Sequence, residues 1–203
     1  MSLINYISAD EAVKNIQSGN RVFLHGSAAT PIHIIQTLLN RYQELKDVEF
    51  VSISNFGNID FNDERYRKSF FINSLFVSAN TRKSANSHYG DYIPIFLSQI
   101  PQLFKSNILP VDVAIIHVSP PDKHGYCSLG TSVDIARAAV EVAKHIIAQV
   151  NPKMPRTHGD SFIHISEIDS MVWHEVDLPE VNYENAANNS IEQIGKNIAE
   201  LID

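Results

Sequence analysis

Two loops carry the densest chemistry in this chain. The first is SPPDKHGYCSLG (119–130), which follows the apolar run Val111 to Val118. The second is NPKMPRTHGDS (151–161), which follows His145 to Val150. Pro120, Pro121 and Gly125 constrain the first loop; Pro152, Pro155 and Gly159 constrain the second. Stiff loops lose little entropy when they hold a ligand, and loops after strands are where a scaffold displays reactive groups. Their His, Asp, Thr and Tyr side chains could bind a polar substrate or move a proton. A third candidate is the turn HGSAATP (His25 to Pro31), whose backbone N–H groups could cradle an anion or a carbonyl oxygen. It lacks the further glycines of a dinucleotide fingerprint and the Gly-Lys of a phosphate loop.

Other chemistries find less support. Nine histidines invite a metal reading, but His117 and His124 are seven residues apart, and His158 and His164 six. No pair has the i, i+4 spacing of a helical zinc site and no cysteine pair joins them. His145 and His164 fall inside strand patterns and read as structural. Cys127 is the one cysteine. It reads as a small buried hydrophobe, with a nucleophile flanked by His124 and Tyr126 as the alternative. No Gly-x-Ser-x-Gly elbow is present to anchor a serine-hydrolase triad.

The elements that must hold these loops read as alternating helices and strands. Ser8-Ala-Asp-Glu11 is a capping box opening a helix to about Ser18, with Gly19 as its left-handed stop. Arg21 to His25 reads as a strand. In the turn after it, Gly26 supplies a positive φ, Thr30 caps and Pro31 takes the first helical position. A helix over Ile32 to Leu45 places Ile34, Ile35, Leu38, Leu39 and Tyr42 on one face. Strands follow at Val48 to Ser54 and Phe70 to Val77, then a short polar helix (Ala79 to Ser87), a turn (Tyr89 to Pro94) and a helix in two pieces around Pro101. After the first loop come a helix over Val133 to Ala143, capped by Thr131 or Ser132, and strands at Ser161 to Ile165 and Met171 to Val176. An amphipathic helix over Asn185 to Ile202 ends the chain, in the manner of a helix that leads into another domain. The strands are short, Val/Ile-rich and mostly continuous in apolar character. The pattern predicts an α/β fold, a mainly parallel sheet with helices on both faces.

The bulk numbers bound the function. The 203 residues suit one domain, and 44% hydrophobic with 19% charged residues favours a folded globule. A net charge of -7 without a Lys/Arg cluster argues against nucleic acid as a partner. No apolar run approaches the ~20 residues of a membrane span. No signal peptide pattern opens the chain, and the single cysteine suits a reducing compartment, so a cytoplasmic location is expected.

The strings VSPPDKHGYCSLGTSVD and AKHIIAQVNPKMPRTHGDSFIHISEID resemble the N-terminal half of the acetyl-CoA hydrolase/transferase family, within the class I CoA-transferases. SFFINSLFVSANTRKSAN, GDYIPIFLSQIPQLF and LPVDVAIIHVSPPD carry the same resemblance, which extends over nearly all of residues 1–203. The branch it is most similar to is the 4-hydroxybutyrate and butyryl-CoA:acetate CoA-transferases. The resemblance implies a homodimeric enzyme of two α/β subdomains that moves CoA from an acyl-CoA to a small carboxylate. A glutamate attacks the thioester, a glutamyl-CoA thioester forms, and backbone N–H groups stabilise the oxyanions. It implies no permanently bound cofactor, since coenzyme A is a substrate; the histidine spacing already argues against a metal.

It also implies about twice this length, with the nucleophilic glutamate beyond Asp203. Glu11, Glu44, Glu141, Glu192 and Glu200 lie on expected helices. Glu167, Glu175, Glu180 and Glu184 lie near strand ends without the family's glycine-rich setting. No catalytic residue is therefore assigned within this chain. The resemblance places His25, Gly26 and Ser27 at the acyl pocket. It makes Pro120, His124, Gly125, Tyr126, Thr157, His158 and Gly159 lining residues of the cleft or of a subdomain interface. Two other readings stay open: an acetyl-CoA hydrolase, and a non-catalytic α/β module that binds a ligand or assembles with a partner chain.

Overall fold

The structure, a computed structural model, describes residues 4–180 and 188–202. Its centre is a seven-stranded sheet in the order β4-β3-β2-β1-β5-β7-β9. The strands are β1 (Arg21–Leu24), β2 (Val48–Ser52), β3 (Phe70–Ser74), β4 (Gly90–Tyr92), β5 (Val113–Val118), β7 (His145–Val150) and β9 (Ser170–Trp173), and every pairing is parallel. Two short strands, β6 (Tyr126–Ser128) and β8 (Phe162–His164), form a separate antiparallel ribbon.

The continuous apolar strands have the expected cause. In β5, Val113 and Ile115 join the core on one face of the sheet, while Ala114, Ile116 and Val118 join the core on the other. A strand covered on both sides has no polar face to alternate with. One face packs against α1 (Ala9–Ala12) and α2 (Ile32–Leu39), with Ile34, Ile35 and Leu38 fully buried. The opposite face packs against α4 (Ile100–Lys105) and α5 (Ala136–Val142). There Phe23 of β1 meets Phe104 edge to face, with centroids 6.1 Å apart. The remaining helices are α3 (Arg82–Ala85) and α6 (Asn189–Ala199).

Several elements differ from expectation. The first helix changes to a 3-10 turn at Val13 and ends at Asn15, although Ser8 Oγ accepts from the Glu11 N–H at 3.1 Å and Gly19 has φ +80° as anticipated. The helix expected to reach Leu45 stops at Leu39. Arg41 turns back there to donate to the Val13 and Ile16 carbonyls, which ties the first turn to α2. Pro31 is the cap of α2 rather than its first residue, and Thr30 makes no capping bond. The helix after the first loop runs only over Ala136–Val142 and has no side-chain cap. The Tyr89 to Pro94 turn is in part a strand, β4, because Gly90 lets the chain approach β3. A Cβ there would stand 2.7 Å from the Ile72 carbonyl oxygen. The start of the expected last helix, 185–187, lies outside the described residues.

The chain adds β2, β3 and β4 on one side of β1, then crosses over to place β5, β7 and β9 on the other. The strand order therefore reverses between β1 and β5. Open parallel sheets form their ligand crevice beyond the carboxyl ends of the strands at such a point.

Candidate functional site

Two groups of expected site residues lie beyond the strand ends. The first is the turn after β1. Here Ser27, not Gly26, takes the left-handed conformation, with φ 53°. Gly26 is needed for another reason. A Cβ on it would sit 2.9 Å from the Ser54 backbone oxygen and 3.0 Å from Ile53 Cγ1. The turn is sewn to the end of β2: Ser27 N–H donates to the Ser54 carbonyl at 2.7 Å, and the two hydroxyls lie 3.1 Å apart. Thr30 Oγ1 donates to the Ser27 carbonyl and accepts from the Phe56 N–H. The N–H groups of Ser27, Ala29 and Thr30 all reach backbone carbonyls. They are spent on the fold and do not form an anion cradle.

His25 is fully buried. Its Nδ1 accepts from the His117 N–H at 3.1 Å, so Nε2 carries the proton and donates to the Ser132 carbonyl. Burial pushes its pKa down. Both ring nitrogens are thus occupied in joining β1, β5 and the loop before α5, and the imidazole presents nothing to a cleft within this chain.

The second group is the pair of loops after β5 and β7, which the β6–β8 ribbon joins into one unit. Asp122 accepts from the His124 and Tyr126 N–H groups at 2.8 and 3.0 Å. Arg156 of the other loop donates to Asp122 at 2.7 Å and to the Tyr126 carbonyl at 2.9 Å. Ser128 Oγ accepts from the Gly130 and Thr157 N–H groups, both at 3.1 Å, while Thr157 Oγ1 donates to the Gly130 carbonyl. Gly125 (φ +87°) and Gly159 (φ +98°) sit at the turns. His124 and Gly125 line a cavity of about 220 Å³ with Pro121, Lys123 and His164. His158 stands edge-on to Phe162 with centroids 5.8 Å apart. Cys127, in the ribbon, is buried in the apolar core, and its thiol is pushed up to about 12 by desolvation. It has the environment of a packing residue and not of a nucleophile.

Between these groups, at the strand-order reversal, lies a cavity of about 250 Å³. Thr30 and His33 from the start of α2, His117 of β5, Gln149 of β7 and His174 after β9 form its polar wall; Ile32, Val176 and Pro179 form its apolar wall. His117 and Gln149 face each other in the β5–β7 register and are linked through their Nε2 atoms at 3.3 Å. Burial, followed by the repulsion of His25, takes the His117 pKa down to about 3, so the ring is neutral. His33 stacks on His174 with centroids 4.0 Å apart, and its pKa is lowered by burial and by that neighbour. Of these residues, Thr30 stands in the HGSAATP turn that the sequence singles out, and His117 and Gln149 stand in the apolar runs just before the two loops. The signal for Gln149 is present: VAIIHV and HIIAQV each carry a polar residue at the fifth position, within a buried apolar run. Among the described residues no group of three His, Cys, Asp or Glu side chains could hold a metal ion. No helix among them is long and apolar enough to cross a membrane.

An all-parallel α/β sheet with a crevice at its strand-order reversal is the class this geometry defines. Residues 4–180 match the acetyl-CoA hydrolase/transferase N-terminal domain family, and the chain belongs to that family. It is 40% identical over 198 residues to the 4-hydroxybutyrate coenzyme A transferase of Clostridium kluyveri, covering 97% of this chain and 46% of that protein. It is 45% identical over 166 residues to a succinyl-CoA:acetate/propanoyl-CoA:succinate CoA transferase of Fasciola hepatica, covering 81% and 34%. The crystal structure of RipA from Yersinia pestis superimposes with a TM-score of 0.86 at 27% identity, covering 98% of this chain and 48% of that one. The chain thus spans about half the length, or less, of the relatives it matches.

Proposed function

We propose that this chain is the N-terminal domain of a CoA-transferase. The enzyme moves CoA between an acyl-CoA, such as 4-hydroxybutyryl-, butyryl- or acetyl-CoA, and a carboxylate such as acetate. The nucleophile is a glutamate in a second half of the protein, where the acyl-glutamyl anhydride and then the glutamyl-CoA thioester form. The observation that carries this reading is the family match over residues 4–180, joined to relatives named as CoA transferases.

The glutamates of this chain are in keeping with that division of labour. Glu49 is held by Arg21 and Asn73, Glu141 by Arg137 and Lys105, and Glu167 closes the capping box of a 3-10 turn at His164. Among the described residues no glutamate lines the cavity at the strand-order reversal. This half supplies one wall of the cleft, and the ribbon-joined loops keep that wall in a single shape. Coenzyme A enters as a substrate. The enzyme works in the cytoplasm as a homo-oligomer, with this domain against its own second half.

The test is an acyl-CoA:acetate exchange assay on the protein extended beyond Asp203, with the 203-residue chain in parallel. The extended protein is expected to form acetyl-CoA from butyryl-CoA only when acetate is supplied, and the short chain to form none. Turnover without acetate would instead make the protein a hydrolase. Transfer by the short chain would overturn the placement of the nucleophile.

A further inference from the structure

A cavity of about 160 Å³ lies at the amino ends of β3 and β4, the opposite end of the strands from the crevice. Four rings line it: Phe61, Tyr66, Phe70 and Tyr89. The core holds three of them in place. Phe50 stacks on Phe70 with centroids 4.9 Å apart and meets Phe61 edge to face at 6.0 Å, and Tyr66 meets Phe70 edge to face at 6.0 Å. Tyr89 joins them because Gly90, next to it, lets the chain pass close to α3. A Cβ there would stand 2.8 Å from the Ser84 backbone. An apolar cavity of about 150 Å³ admits benzene, so this one has room for a single ring.

Rings beside a carboxylate, here Asp63, are also the makings of a cage for an organic cation. The charges decide against that. Asp63 accepts from the Arg65 N–H at 2.9 Å and from its guanidinium at 2.9 and 2.6 Å, bonds that hold the carboxyl below its ordinary range. Two cations line the cavity as well, Arg67 and Lys83. Arg67 lies over the Tyr89 ring, 4.7 Å from its centroid, and pairs with the exposed Glu64 at 2.5 Å. Among the described residues Lys83 makes no ion pair. It is exposed on α3, and its four-carbon stem lets the ammonium swing to a ligand at the mouth. The charged lining groups and their partners are thus three cations and two carboxylates, a positive excess in a chain of net charge -7. The smaller polar groups are spent on the fold: Ser84 donates to Asn62, Asn62 to the Asn80 carbonyl and Ser87 to the Ser84 carbonyl. What remains for a ligand is ring surface and positive charge.

We infer that this cavity binds a monocyclic aromatic carboxylate, its ring among Phe61, Tyr66, Phe70 and Tyr89 and its carboxylate toward Lys83 and Arg67. The inference does not depend on the CoA-transfer reading, since it concerns binding alone.

The experiment is a titration of the protein with benzoate followed by NMR chemical shifts, with benzylamine as the cationic control and benzamide as the neutral one. Saturable shifts are expected at Lys83, Ser87 and Tyr89, with a Kd on the order of 1 mM and benzylamine weaker by about fivefold or more. Lys83→Gln is expected to weaken benzoate by about two- to fivefold, the range of an exposed charge pair, and to leave benzamide unchanged. Absence of saturable shifts at these residues, benzylamine binding as tightly as benzoate, or unchanged benzoate affinity in folded Lys83→Gln would each overturn the assignment. If Lys83→Gln does not fold, the benzoate-to-benzylamine comparison at the same residues of the unaltered protein decides by itself.

Discussion

His25 accepts the backbone N–H of His117 on its Nδ1 at 3.1 Å, across the line where the strand order reverses. The bond, with the one from Nε2 to the Ser132 carbonyl, makes a histidine that resembles a site residue into a brace. His25→Ala would orphan both partners and leave a void in the core. A loss of about 2–4 kcal/mol of stability is expected, read as a shift of the urea midpoint at unchanged slope. A midpoint equal to that of the unaltered protein would return His25 to the list of free side chains.

Stability should fall on mild acidification. His25 and His117 both have pKa values lowered from 6.5 by burial, His117 to about 3. Below about 6.5 the unfolded chain takes up protons that the folded chain refuses, so stability declines as pH drops from there toward 3. Each fully neutral histidine contributes at most about 1.4 kcal/mol per pH unit in that window. The lowered carboxyls of Asp112 and Glu141 add their own losses mainly below their ordinary values of 3.8 and 4.5. Urea melts at pH 7.5 and 5.5 should therefore show the less stable protein at 5.5. His117→Asn should reduce the difference; an equal or reversed difference would contradict the neutral pair.

Two glycines should fail for different reasons. Gly26→Ala meets a backbone oxygen at 2.9 Å, which no side-chain adjustment relieves, and is expected to cost about 1–3 kcal/mol. Gly159→Ala meets nothing within 4 Å, and its cost is the left-handed backbone alone, about 1 kcal/mol. Thermal melts of the two variants rank them. Substituting Asn, which tolerates left-handed φ, should recover part of the loss at 159 and none at 26.

Cys127 should be inert in the native state. Its thiol is buried and pushed up to about 12. At pH 8 a thiol reagent should label the protein only after denaturant is added. Rapid labelling of the folded protein would mean that the β6–β8 ribbon opens.

The sequence by itself determined the class of fold and the family. Runs such as VAIIHV and HIIAQV are apolar on both faces, which only a covered parallel sheet accommodates, and the loop strings carry the family pattern without reference to coordinates. It also marked Gly19, Gly125 and Gly159 as turn residues, and all three have positive φ. What it left undecided is which side chains meet. His25 looked like a cleft residue because a histidine next to a glycine turn is locally the same whether buried or exposed; only the packing of Ser132 and His117 around it settles the matter. Gly26 and Ser27 exchanged roles because the approach of β2 is a contact about thirty residues away in the chain. The His117–Gln149 pair exists only through the β5–β7 register, a pairing 32 residues apart in sequence. Local patterning writes strands, helices and turns; the alignment of one strand against the next, which no single segment encodes, decides the neighbours from which a site is made.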